Sequence, residues 1–151
     1  MLDCIIVGNG IAGTTLSISL EKKGFKTMLI TDKKRPCASK IAAGLIQPIS
    51  GKFLTSNTLI NKHFKSLIKF YKELEILLET TFFNSTITYL HLTKTQEKIY
   101  KKKSKNTFFS DLLQPLSSQH NYSNHKENSY KLSNCFLVNT NKIFSKVEKY
   151  F

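Results

Sequence analysis

The residues best suited to chemistry lie near the start of the chain. Gly8-Asn9-Gly10-Ile11-Ala12-Gly13 carries three glycines at the spacing G-x-G-x-x-G. In such a turn the first glycine permits a tight bend and the second lets a pyrophosphate approach the backbone. The third lets the following helix pack close to the strand. Amides exposed at the helix start, with the positive end of its dipole, then hold the anion. Sites of this kind also want a carboxylate about twenty residues further on, to accept hydrogen bonds from a ribose. Asp32 follows Gly13 by 19 residues. Lys33, beside it, is counted with the candidate contacts.

The elements around the turn have the right types. Cys4 to Val7 is a short apolar run that reads as a buried parallel strand. Ile11 to Lys23 reads as a helix closed by Gly24, and Lys26 to Thr31 as a second strand. Together they make a βαβ unit. Asp32 stands one residue beyond the strand-end position Thr31, and a one-residue step on a strand turns a side chain to the other face.

Residues 33–56 read as loop, with Pro36, Gly44, Pro48 and Gly51. A long amphipathic helix is expected from Leu59 to Glu79, where Ile60, Phe64, Leu67, Ile68, Tyr71, Leu74 and Leu78 share one face. That stripe reads as core. Thr86 to Thr93 alternates like a strand of a different sheet. Helical pieces follow over 94–113, then an exposed loop from Ser117 to Ser129, a strand from Tyr130 to Val138, and a helix from Asn141 to Phe151.

Composition narrows the function classes. The chain has 151 residues and a formal charge of +13, with 40% hydrophobic residues, so it reads as globular. The charge suggests a phosphate-rich partner, but Arg35 is the sole arginine among 23 basic residues. The bidentate guanidinium fork that favours nucleic-acid recognition is nearly missing. The lysines are spread out, densest at Lys101, Lys102, Lys103 and Lys105, and read as solvated surface; a nucleic-acid partner is not expected. Cys4, Cys37 and Cys135 show neither a disulfide framework nor zinc spacing, so a reducing cytoplasm is the expected setting. No apolar run approaches the roughly 20 residues of a membrane span, and no membrane partner is expected. His63 reads as a solvated helix residue, and His91 as structural, on the strand face of Tyr89. His120 and His125 lie in a loop without ligand partners, so no metal is expected. Lys52 reads as a solvated lysine.

A second stretch carries a family likeness. Ser39-Lys40-Ile41-Ala42-Ala43-Gly44-Leu45-Ile46-Gln47-Pro48-Ile49-Ser50-Gly51 resembles the segment after the second strand in FAD-dependent oxidoreductases of the D-amino acid oxidase, or glycine oxidase-like, superfamily. The likeness extends over residues 3 to about 92. Gln47 stands where one bacterial branch has Asn. The resemblance implies FAD as cofactor, running along Ser39, Ala42, Ala43, Gly44 and Leu45, where small side chains let backbone amides reach the pyrophosphate and the flavin edge. It implies an α/β fold: the N-terminal part of a Rossmann-like FAD-binding fold, with the beginning of an interleaved α+β substrate domain. Residues 1–80 would form the nucleotide-binding unit with its loop and long helix, 81–138 part of the substrate domain, and 139–151 a helix returning toward the nucleotide. The implied activity is oxidation of a C–N bond in a small amine or amino acid. Members of the superfamily are more than twice as long. The chain is therefore expected to be an N-terminal fragment, inactive alone, whose partner could be a separate C-terminal half. The alternative is a small basic nucleotide- or RNA-binding module without redox activity. A simple NAD enzyme would give the Ser39–Leu45 stretch no purpose.

Overall fold

The computed structural model describes residues 1–32, 37–56, 59–116 and 128–150, with the side chains of Asn61, Lys149 and Tyr150 left aside. Strands β1 (Cys4–Val7) and β2 (Thr27–Ile30) pair in parallel, Cys4 with Thr27 through Val7 with Ile30. Helix α1 (Ile11–Glu21) joins them, which is the expected βαβ unit. Gly24, at φ +85°, turns the chain out of the helix, and its amide donates to the Glu21 carbonyl. Buried Ser17 shares a 3.2 Å hydrogen bond with the Thr27 hydroxyl, which donates to Glu21, so polar groups between helix and strand are satisfied.

The stretch expected as plain loop contains two short elements, α2 (Ala38–Ile41) and β3 (Leu45–Ile46). A two-residue strand has no period of its own. β3 exists because Leu45 and Ile46 pair antiparallel with Leu137 and Phe136, some ninety residues away. Beyond it, Ser50 and Thr55 form an isolated antiparallel bridge around the turn at Gly51.

The long helix, α3 (Ile60–Leu77), buries Phe64, Tyr71 and Leu74 on the anticipated face. The next strand, β4 (Phe83–His91), starts three residues before the expected Thr86. The cause is Glu75 on α3: its Oε1 accepts from the amides of Phe82 and Phe83, both at 2.8 Å, and so sets where the strand begins. Helix α4 (Lys94–Lys103) opens with a capping box between Thr93 and Gln96. Helix α5 (Thr107–Leu112) runs directly into β5 (Leu113–Pro115), a strand absent from the sequence reading. Strand β6 (Ser129–Val138) and helix α6 (Thr140–Tyr150) follow near their expected places.

β6 is the spine of a four-stranded antiparallel sheet. β4 lies along one edge, and β3 and β5 pair with the opposite ends of β6 on the other. The β4–β6 register shifts between Thr86 and Thr88. One core cluster joins Ile18 of α1 to Tyr71, Leu74, Phe82, Phe83, Val138, Ile143 and Val147. The two sheets are thus fastened through α1, α3 and α6. A second cluster, including Leu92, Phe109, Leu113, Tyr130 and Leu132, closes the far end of the antiparallel sheet. Lys33, His120 and His125 lie outside the described residues.

Candidate nucleotide-binding site

β1 delivers the chain to Gly8, whose φ of +103° is a conformation that favours glycine. The Gly8 amide donates to the Ile30 carbonyl at 2.8 Å, tying the turn to the end of β2. Gly10 is the extended N-cap of α1. The N-cap residue has no side chain to cap the helix, and no acid lies in its first turn. A Cβ on Gly13 would overlap the carbonyl oxygen of Gly8, which is the close packing expected of the third glycine. Asn9, between the glycines, contributes its carbonyl: the hydroxyl of buried Thr14 donates to it at 3.2 Å, while the Thr14 amide donates to Gly10. The turn is braced from inside.

The second stretch reaches the same turn. The amide of Ile11, first residue of α1, donates to the Ser39 hydroxyl oxygen at 3.0 Å, across 28 residues of sequence. Cys37 Sγ and Ser39 Oγ would each lie 3.4 Å from a Cβ on Gly10. The bare α-carbon of Gly10 therefore keeps a cradle open beside a hydroxyl and a thiol. Burial pushes the Cys37 thiol up. Hydrogen bonds involving the Ser39 amide and hydroxyl and the Lys40 amide, together with the Lys40 charge, outweigh it and hold the thiol below its usual range.

Ala12, Ala42 and Ala43 are exposed. Gly44 does something different. At φ +71°, it packs where a Cβ would overlap the Val138 carbonyl oxygen, and its own carbonyl accepts from the Val138 amide at 2.9 Å. Gly44 and Leu45 join the stretch to the antiparallel sheet.

Asp32 is exposed, two residues past the end of β2. Thr31, not Asp32, continues the inner face of Leu29 and lines a cavity of about 330 Å³ next to the glycine turn. Asn9 and Thr14 form one wall; Phe144, Val147 and Glu148 of α6 form another. The α6 residues went unrecognised as site residues in the sequence. Their helical spacing showed a buried face, but nothing local says which cavity it meets. Lys40 of α2 bridges to them: its ammonium lies 3.2 Å from Glu148 Oε1 and 5.8 Å from the Phe144 ring centroid. Away from this site, His63 and Lys52 are exposed, and His91 is exposed on the face of Tyr89.

No protein-family model matches the chain, and no curated protein does. Solved structures do. Glycine oxidase from Bacillus cereus superposes with a TM-score of 0.69 at 16% identity, over 99% of this chain and 43% of that one. An L-amino acid deaminase from Proteus myxofaciens gives 0.66 at 14%, over 98% and 36%. L-proline dehydrogenase from P. horikoshii gives 0.64 at 14%, over 99% and 42%. At these identities the likeness establishes the fold. It is the N-terminal part of the fold of D-amino acid oxidase-type enzymes, as the resemblance implied. The chain spans about two fifths of the length of the structures it matches.

Proposed function

We propose that the chain holds the pyrophosphate and adenosine of FAD, and is the nucleotide-binding portion of an FAD-dependent oxidoreductase that oxidises a C–N bond of an amine or amino acid. The observation that carries this reading is the Ile11–Ser39 hydrogen bond, which seats the second stretch against the glycine turn at the start of α1. The residues fit the group. Ala12 and Gly13 at the helix start offer amides to the pyrophosphate; Ser39 can turn its hydroxyl to the same anion, and Gly10 leaves room for it. The adenosine end would occupy the cavity between Thr31 and α6, where Glu148 of the lining, or Asp32 one residue beyond Thr31, would be the carboxylate for the ribose. When bound, the flavin supplies the hydride acceptor. This chain's residues would bind and orient it.

The structures it resembles are named as an oxidase, a deaminase and a dehydrogenase of amino acids, which supports the substrate class. Because the chain corresponds to about two fifths of their length, turnover is assigned to an assembly with the remainder of the fold, and the isolated chain is expected to be inactive. The test is a titration of the purified chain, alone and co-expressed with the polypeptide encoded directly downstream, followed by flavin fluorescence. Saturable 1:1 binding supports the reading; no binding in either form sinks it. Oligonucleotide binding that falls steeply with salt would instead favour the basic binding module.

A further inference from the structure

The acidic residues are unevenly placed along the chain. None lies between Asp32 and Glu73, and none between Glu97 and Asp111. The fold brings parts of these two acid-free stretches together. Leu54 shares a core cluster with Phe109. The Lys103 ammonium donates to the carbonyls of Phe53 and Leu54, at 2.9 and 2.8 Å. Beside that contact, Ser56, Lys102, Lys103, Lys105 and Phe108 line an open recess of about 550 Å³. Among the described residues, no acid lines it.

The turn over this recess is held in place. Ser50 and Thr55 bridge its two ends, and Leu54, at φ +47°, is buried beneath it. Lys103 fixes the tip from the side. Phe53 nevertheless stands 64% exposed, with the Lys52 ammonium 5.8 Å from its ring centroid. Lys52, Lys102 and Lys105 are exposed as well. A large apolar side chain is thus held in water among ammonium groups. None of these residues lines the cavity beside the glycine turn, so this surface stands apart from the cofactor reading.

We propose that this face docks on an anionic lipid bilayer. Lys52, Lys102 and Lys105 meet the headgroup phosphates, and Phe53 enters the boundary between headgroups and acyl chains. Two observations choose a bilayer over a nucleic acid. The cations are all lysines, which act as point charges on phosphate and lack the guanidinium fork. Phe53 stands at the tip of a turn, where it can enter a plane of headgroups; a platform for stacked bases lies along a groove. The expectation of no membrane partner rested on the lack of a span, which a peripheral contact does not need. The tip was invisible in the sequence, because only the Lys103 contact, 50 residues away, shows that it is held out.

The chain has no tryptophan, so Phe53→Trp puts a single fluorescent reporter at the tip. Its emission should shift to the blue with phosphatidylcholine vesicles containing about 30% phosphatidylserine, and not with phosphatidylcholine alone. Raising salt should reverse the shift. In cosedimentation with the anionic vesicles, Phe53→Ser should weaken binding roughly 5- to 50-fold. Lys102→Ala with Lys105→Ala should weaken it roughly 10- to 30-fold. Lys65→Ala with Lys69→Ala removes the same charge from the exposed side of α3 and should change binding by less than about threefold. All these side chains are exposed, so each variant should keep the circular dichroism of the unmutated chain. An unshifted reporter overturns the proposal, as does an equal loss from the α3 pair, which would mean attraction by net charge alone. Tighter binding to poly(U) than to the anionic vesicles overturns it in favour of a nucleic-acid surface.

Discussion

A methyl group added at Gly13 would overlap the carbonyl oxygen of Gly8, whereas one added at Gly10 would meet the Cys37 sulfur and Ser39 oxygen, each 3.4 Å away. The first contact is with backbone and cannot be relieved by turning a side chain, so α1 would have to move off β1. Gly13→Ala should therefore lose roughly 1–3 kcal/mol of stability in a denaturant melt. Gly10 has an ordinary negative φ of −66°, so Gly10→Ala should change stability by no more than about 0.5 kcal/mol. Its added methyl occupies the cradle, however, and FAD affinity should fall by roughly tenfold or more, read by fluorescence titration. Equal losses of stability from the two variants would contradict the distinct tasks given to these glycines. Ser39→Ala removes the acceptor of the Ile11 amide and should cost about 0.5–1.5 kcal/mol in the same melt. The three glycines were legible because their spacing is local and each has a geometric reason. The Ile11–Ser39 bond was not, because 28 residues of intervening chain decide whether those two atoms meet.

Among the elements, the junction of α3 and β4 turns on one carboxylate. Glu75 accepts two backbone amides from Phe82 and Phe83 and pairs with Lys72 at 2.9 Å, with only 11% of its side chain exposed. Burial pushes its carboxyl up; the hydrogen bond from Lys72 and those from the Phe83 and Phe82 amides outweigh that and hold it below the usual carboxylate range. A group whose folded value is depressed contributes stability that is full above its unfolded value and lost as pH falls through the folded one. The contribution should thus be complete above the unfolded glutamate value of about 4.3 and fade progressively below it. Glu75→Gln should flatten the melting temperature against pH in that acidic window, and Glu75→Ala should cost roughly 1.5–3 kcal/mol near neutral pH. An unchanged acid limb in Glu75→Gln would remove this carboxylate as the cause. The junction also shows why element boundaries were hard to read. Phe82 and Phe83 are adjacent and both buried, so hydrophobic alternation gave no sign of a strand there. Thr86 onward alternates cleanly, and that part was visible. β3 and β5 were missed for a related reason: a strand of two or three residues is defined by its partner β6, and Pro115 in β5 argues locally against a strand at all.

Across the whole molecule, α6 is the fastener. Ile143 is fully buried in the cluster that also holds Ile18 of the βαβ unit, Leu74 of α3 and Val138 of the antiparallel sheet. Phe144 and Val147, one turn apart on the same helix, wall the cavity beside the glycine turn. Two sheets that share one core through α1, α3 and α6 should not melt separately, and the chain should unfold in a single cooperative transition. Ile143→Ala removes three side-chain carbons from a site that the surrounding helices cannot easily collapse, and should cost about 2–5 kcal/mol. The decisive readout is where that loss appears. Hydrogen exchange should rise together in β1–β2 and in β4–β6, although Ile143 belongs to neither sheet, and far-UV and tyrosine signals should share one midpoint. Faster exchange confined to β4–β6, with β1–β2 unaffected, would mean that the nucleotide unit stands apart from the sheet. The helix would then be an accessory to the site and not the element that joins its two halves.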